Sequence, residues 1–527
     1  MSSQPTQPSP GKDNTVQTEC LADPVHIPSS QWRLAIITVS LCCGTFLVAL
    51  DTTILSVAVP SISTSFQAFG DVGWYGSAYL LTLFNAKTTY LVAAVLLEVG
   101  SVICAAGPSS AAFICGRAIT GVGAAGLYQG ALSIFGLTVS LEQRPMYLAI
   151  VLSVFGITAC LGPPLGGILT QHATWRWCFW INLPIGAVAF VLIVCFLKLQ
   201  PPRARMTQPI LMRIRTLDIP GIVLIIGSVC CLILAMQVIG LFIGAALLLG
   251  AFFLSQWYQG ERSTIPLRVA RQRSVLMGVC FSFFLEISVY VTLYYIPFYF
   301  QSAQLVSPTV SGVRGIPLGV SQIVAVVLTG AVVSMTGHYV PFMVLGQIVS
   351  IVGTVCLTRL EVGTPTAQWA TFLVIAGVGH GMGLQMPFTA TQVVLSEDDL
   401  SIGNAITLFF SQLGAAVAIA PGENIFHTSI AHHVQASHLS VSAATVIAAG
   451  PTKLQSLTTD ATTLHKLQDA YAYGTRMIMY FSLAASCAAV PFALGMEWRN
   501  VKKEAEKRSA KKAAEEAIID KEEPAKK

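Results

Sequence analysis

Between Trp32 and Trp498 long apolar runs alternate with short polar breaks. Most runs have the length of ~20 residues that a helix needs to cross a hydrocarbon core of ~30 Å. The pattern predicts fourteen spans, at 34–58, 72–84, 90–106, 111–137, 146–169, 178–197, 219–236, 238–255, 274–300, 311–335, 340–358, 368–392, 402–421 and 475–495. The second is short, and only Asn85, Lys87, Thr88 and Thr89 stand as a polar turn before the third. A single kinked span over 72–106 would hold Lys87 at membrane depth, which is costly. Two crossings with Lys87 at the turn are therefore expected. The unbroken run 219–255 would reach ~55 Å as one helix. Basic segments flank it on both sides (Lys198, Arg203, Arg205, Arg213 and Arg215; Arg262, Arg268, Arg271 and Arg273). Both flanks therefore belong on one side of the membrane, and the run is expected to fold back near Gln237–Gly240.

Composition agrees with this pattern: 54% of the 527 residues are hydrophobic and 10% are charged, against ~25% charged in soluble domains. The chain reads as an all-α membrane protein. Residues 1–32 are polar and read as a disordered cytoplasmic tail; residues 499–527 alternate Lys, Glu and Ala and read as a solvated, partly helical cytoplasmic tail. Most of the 30 Lys and Arg fall in tails and loops assigned to the inside, so the net charge of +5 does not point to nucleic acid. Most of the 13 cysteines lie in apolar runs without ligand spacing, and His427, His432, His433, His438 and His465 sit in a polar segment, 424–474, expected as a long external loop. No metal site, cofactor or phosphate-binding loop is expected, and no nucleophile arrangement suggests an enzyme.

Charges inside spans are expensive and mark candidate sites. Four stand out: Asp51, Glu98, Arg117 and Glu286. Asp51 lies in LDTTILSVAVP, ended by Pro60. Arg117 lies in FICGRAITGVGAAG, where Gly116, Gly121, Gly123 and Gly126 give one helix a small-residue surface for close packing. An arginine there can tune a carboxylate for which a proton or cation competes; a buried structural pair is the simpler alternative. A third patch, GITACLGPPLGGILT, sets Gly162, Pro163, Pro164, Gly166 and Gly167 mid-span. That composition suits a hinge, a tight seal or a kinked packing helix, and the residues alone do not choose.

Taken together, LDTTILSVAVP, GRAITGVGAAG, GPPLGG, WRWCFWINLPIG (175–186), GVGHGMGLQMPFTATQVVL (377–395) and GNAITLFFSQLG (403–414) resemble the major facilitator superfamily (MFS). Within it they most resemble the fourteen-span drug:proton antiporters, among them fungal toxin and secondary-metabolite efflux pumps. The resemblance implies two six-helix bundles, at 33–198 and 274–498, plus two inserted helices within 199–273. It implies alternating access around a central cavity, with Asp51 in the translocation path, Arg117 assisting proton coupling and Gly162–Gly167 as the antiporter helix; Glu98 and Glu286 join them as coupling candidates on the cost of a charge within a span. Tyr128, Gln129, Tyr290, Tyr294, Gln385 and Gln412 are candidate cavity side chains, with ordinary packing the equal alternative for each. The implied partners are a small amphipathic substrate, protons and the lipid bilayer of a plasma, vacuolar or vesicle membrane, with the chain a monomer. Thr158 replaces a usual glycine. The loops at 84–90 and 237–240 are shortened, with Lys87 the only basic residue left of a Gly-x-x-x-Asp-Arg-x-Gly-Arg-type loop. That departure leaves a transport-dead sensor or a truncated gene product as an alternative, beside a transporter of amino acids or siderophores.

Overall fold

The computed structural model describes residues 31–63, 86–197, 218–235, 240–260, 263–397, 399–437 and 441–522. The elements, in chain order, are α1 (Gln31–Ser63), α2 (Ala86–Ala106), α3 (Ser110–Thr138), α4 (Arg144–His172), α5 (Trp177–Trp180) and α6 (Asn182–Phe196) in the first half. The pair α7 (Ile219–Ala235) and α8 (Gly240–Gln259) follows, then the short α9 (Leu267–Ala270). The second half holds α10 (Arg273–Ser302), α11 (Pro308–Arg314), α12 (Ile316–Thr336), α13 (Val340–Leu357), α14 (Thr366–Leu384), α15 (Met386–Val394), α16 (Leu400–Ala436), α17 (Ala443–Ala449) and α18 (Ala461–Leu494). The tail helix is α19 (Val501–Glu522). Ten helices among the described residues are long and apolar enough to cross a membrane. The remaining expected spans at 219–236, 238–255 and 368–392 coincide with helices, and 72–84 lies outside the described residues.

One end of the bundle, here the basal end, gathers the start of α1 and the ends of α6 and α18. Trp32 meets Phe196 edge-on at 6.4 Å, and Arg273 Nε donates to the Gly495 carbonyl at 2.8 Å. Lys87 sits in the first turn of α2, where Nζ donates to the Val194 carbonyl at 2.9 Å. It therefore lies level with the last turn of α6, near one end of the bundle, rather than at mid-membrane depth. The run 219–255 is two helices. Ser228 Oγ of α7 donates to the Ala245 carbonyl of α8 at 3.0 Å. At their open end Asp218 accepts from Gln256 Nε2 (2.7 Å), Gln259 Nε2 (2.5 Å) and Thr264 Oγ1 (2.8 Å).

Glycines set how closely the helices approach. A Cβ on Gly123 would stand 2.7 Å from the Ala93 carbonyl oxygen and 2.8 Å from Leu97 Cα, so α3 lies backbone against α2. Gly116 is one heptad away on the same face and meets Cys104. The two halves join along α4 and α12, where Gly330 fits against Ala149 and the Met146 amide donates to Ser334 Oγ at 3.2 Å.

Two expectations are corrected. Segment 424–474 is not a long loop, because α16 continues to Ala436 and α18 begins at Ala461. Phe426, Ile430 and Val434 recur every four residues and bury against Leu467, Tyr471 and Ile478. Average hydropathy hides this amphipathic pair, while the periodicity reveals it. The tail helix is not simply solvated. Gly337 adopts φ +78°, a left-handed cap at the end of α12, and its carbonyl accepts from the Val501 amide at 2.9 Å. Val501 is buried, and Arg508 Nη2 donates to the Val393 and Leu395 carbonyls at 2.6 and 3.0 Å. A guanidinium on the free carbonyls at the end of α15 is the charge-assisted contact that such an end favours. Arg508→Ala is expected to remove ~1.5–3 kcal/mol of docking. Amide exchange over residues 501–511 should then quicken; unchanged protection would show that the contact does not hold the tail.

Candidate functional site

Asp51 lies on α1 and Arg117 on α3, and the fold brings them together. Arg117 Nη1 stands 2.6 Å from Asp51 Oδ2, with side chains only 10% and 4% exposed. The other carboxylate oxygen, Asp51 Oδ1, is buried and accepts no hydrogen bond among the described residues. The glycine patch explains how α4 reaches this place. It stays helical through 162–167, and a Cβ on Gly162 would stand 2.8 Å from Thr53 Cβ, while one on Gly166 would stand 2.9 Å from the Ile54 carbonyl oxygen. Both glycines thus seat α4 against α1 within three residues of Asp51. Pro163, Pro164 and Gly167 lie in the same unbroken helix.

A second polar centre lies deeper. Glu286, on α10, accepts from Ser411 Oγ of α16 at 3.0 Å. Tyr128 of α3 lies within electrostatic reach of Glu286 and Tyr290, so the first half meets the second here. Tyr128 also packs edge-on against Phe155 at 5.2 Å. Glu286, Tyr290, Tyr294 and Phe298 recur every four residues and are half-buried, forming one stripe along α10. Tyr294 meets Tyr295 edge-on at 5.1 Å and Phe298 at a tilt at 5.5 Å. Arg117 and Tyr128 are eleven residues apart on α3, roughly 16 Å along the axis. The ion pair and the Glu286 centre are therefore two sites.

The other candidates fall elsewhere. Glu98 is on α2, against Gly186 of α6, beside the Asn182–Ser101 hydrogen bond of 3.3 Å. Its two carboxylate oxygens are buried without a hydrogen bond among the described residues. Gln129 Nε2 donates to the Ser401 carbonyl at 2.8 Å, tying α3 to the start of α16 at the basal end. Gln385 is buried and donates to the Val326 carbonyl at 3.2 Å. Gln412 is half-buried next to Ser411. No group of three His, Cys, Asp or Glu suited to a metal occurs among the described residues.

Two features escape a count of Asp, Glu, Lys and Arg within spans. Ser411 is an uncharged partner in the carboxylate site. His380, in GVGHGMG, is a fully buried imidazole whose Nε2 lies 3.2 Å from Ser288 Oγ. Its signal was a lone ionisable side chain in a glycine-rich apolar run.

The family profile described as Major Facilitator Superfamily matches residues 41–419. The chain belongs to the major facilitator superfamily. Among its relatives is the "MFS-type transporter astH" of Aspergillus oryzae, 35% identical over 531 residues that cover 94% of this chain and 93% of that protein. The "Efflux pump aflT" of Aspergillus parasiticus is 36% identical over 501 residues, covering 90% of this chain and 97% of the relative. The "Efflux pump roqT" of Penicillium rubens is 34% identical over 501 residues, covering 90% and 92%. Among solved structures, the proton:xylose symporter XylE bound to 6-bromo-6-deoxy-D-glucose superposes with a TM-score of 0.56 at 15% identity, covering 90% of this chain and 99% of that one. The chain is thus a multi-pass membrane protein with the MFS transporter fold, similar to fungal efflux pumps.

At the basal end of this MFS fold, Arg268 of α9 forms a two-point bond with Asp399 at the start of α16, at 2.7 and 3.0 Å. The Arg268 guanidinium holds the Asp399 carboxyl below the usual carboxylate range, burial opposing and Ser396 assisting. Because the folded value is depressed, the pair stabilises the fold above the unfolded pKa of ~3.9. That stability is lost as pH falls through the folded value. Arg268→Gln is therefore expected to lower the melting temperature at neutral pH, with parent and variant converging below the ordinary aspartate range. A constant gap at every pH would contradict the pair's role.

Proposed function

We propose that this chain exports small amphipathic organic compounds, such as a secondary metabolite, toxin or drug, in exchange for protons. The observation that carries the reading is the buried Asp51–Arg117 pair between α1 and α3, in a family member whose relatives are named efflux pumps. A buried carboxylate paired with an arginine is a two-state device. Ionised, it holds α1 to α3; protonated, it gives up most of its attraction to the guanidinium. Asp51 Oδ1, buried without a hydrogen bond among the described residues, offers the position for that proton.

Glu286 gives the central junction a carboxyl, with Tyr128, Tyr290 and Tyr294 as apolar faces carrying a polar tip. This combination suits an amphipathic organic compound, since aromatic side chains supply contact area and the hydroxyls and carboxyl orient the polar part. The basal ends of the halves are linked through Gln129–Ser401 and Met146–Ser334, so access to this junction from the basal side requires their separation, in keeping with alternating access. The basal end carries Arg144, Arg268, Arg273, Arg499 and Arg508, and by the positive-inside tendency this excess of arginine supports a cytoplasmic assignment for it. The plasma membrane is the favoured location, with vacuolar or vesicle membranes served by the same geometry.

The test is substrate movement in vesicles containing the purified chain under an imposed pH gradient. Movement of a fluorescent amphipathic compound against its own gradient, abolished by a protonophore, is expected. Movement indifferent to the protonophore would remove the proton from the account.

A further inference from the structure

The second half contains a buried polar hub that the transport reading leaves unused. Ser288 of α10 is its centre. Ser486 Oγ of α18 donates to Ser288 Oγ at 2.8 Å, Ser482 Oγ lies 2.9 Å away and His380 Nε2 of α14 lies 3.2 Å away. A hydroxyl has one proton and two lone pairs, so three partners fill it. The Ser486 carbonyl accepts from Gln347 Nε2 of α13 at 2.9 Å, and Thr292 Oγ1 donates to the Ser288 carbonyl at 2.9 Å. The hub therefore joins α10, α13, α14 and α18, and all its members are buried.

The position of His380 is tightly fixed. A Cβ on Gly379 would stand 2.5 Å from Ser350 Cα, and one on Gly381 would stand 2.8 Å from Ala325 Cβ. Helix α14 is thus wedged between α13 and α12 with no slack, and His380 projects from it onto Ser288. On α10 the stripe Glu286–Tyr290–Tyr294 occupies one face, while Ser288, Thr292, Tyr295 and Tyr299 bury on another. The two faces begin two residues apart, about 200° round the helix. Within a bilayer, apolar side chains face apolar surroundings on every side and set helix rotation weakly, so interhelical hydrogen bonds act beside close small-residue packing in fixing it.

We propose that His380 is a positioning residue that, through Ser288, fixes the rotation of α10 and so aims Glu286 and Tyr290 at the junction between the halves. Its transport consequence rests on the function proposed above, but its structural consequence does not.

The experiment uses the full chain in lipid vesicles, with two readouts. The first is the rate at which dicyclohexylcarbodiimide labels Glu286, followed by peptide mass spectrometry. The second is transport, separated into maximal rate and KM. His380→Leu and Ser288→Ala are each expected to change Glu286 labelling by at least about threefold, and the double variant should go no further than Ser288→Ala alone, because His380 acts through the Ser288 hydroxyl that this change already removes. His380→Gln keeps a hydrogen-bonding group and should stay within about twofold of the parent. Maximal rate should fall about fivefold in the Leu and Ala variants with KM little changed, as expected when a residue acts through another. Parental labelling in both His380→Leu and Ser288→Ala would overturn the proposal, and so would additive effects in the double variant. If His380→Leu does not fold, His380→Phe takes its place, since it keeps a ring of similar size without the bond to Ser288. A parent that labels as expected yet transports nothing would sink the export reading and leave the positioning role standing.

Discussion

Arg117→Gln, with Asp51 left in place, should abolish proton-driven transport and cost ~3–5 kcal/mol of stability, because it strands a buried carboxylate. Asp51→Asn should also be damaging, because it removes the carboxylate that pairs with the buried guanidinium. The side chains are 4% and 10% exposed, so water cannot replace the lost partner. The double variant Asp51→Asn with Arg117→Gln separates two roles that the single changes confound. Removing both charges leaves no stranded ion, so folding should recover to within ~1 kcal/mol of the parent. Transport should stay absent, because no titratable carboxyl remains at the pair. Thermal unfolding in detergent reads the first effect and vesicle transport the second. A double variant that both folds and pumps would reduce the pair to a replaceable structural contact.

The second large effect comes from packing. Gly123→Val should prevent accumulation of a folded monomer. Any Cβ there meets the backbone of α2 at Ala93 and Leu97, and backbone on both sides cannot yield as a flexible side chain would. Overpacking of this kind costs ~1–3 kcal/mol even where neighbours can shift. Helix association in lipid depends on close packing between small residues, so no compensating hydrophobic gain is available. Gly250→Ala on α8, where nothing lies within 4 Å of the added Cβ, is the control and should be neutral or slightly stabilising. Size-exclusion profiles of the two variants compare the cases directly. A monodisperse, parent-like Gly123→Val protein would refute the close-approach account of GRAITGVGAAG.

Much of this was legible in the sequence for identifiable reasons. Span positions follow from hydropathy because a bilayer forces every crossing to be apolar and hydrogen-bonded within itself. The fold-back of 219–255 followed from length and flanking charge. Asp51 and Arg117 were visible because ions in spans are expensive, and the small-residue face of the Arg117 helix pointed to a close approach by a neighbour, though not to α2 as that neighbour. The helical extension of α16 and α18 was hidden because polar residues lowered the average, although Phe426, Ile430 and Val434 carry the period. The docking of Arg508 on the Val393 and Leu395 carbonyls could not be read, because the acceptors are backbone groups that any residue would present. Gln129 and Gln385 were expected in the cavity on residue type alone. Their amides instead meet the Ser401 and Val326 carbonyls, partners that become neighbours only once the halves pack.

The export reading stands or falls on whether the buried pair couples proton movement to substrate movement. The most direct measurement is uptake of a fluorescent amphipathic compound into inside-out vesicles with an acidic interior, comparing the parent with Asp51→Asn at matched protein amounts. The account predicts accumulation by the parent that collapses when the pH gradient is dissipated, and none by Asp51→Asn. Accumulation by both proteins, unaffected by the gradient, would contradict it.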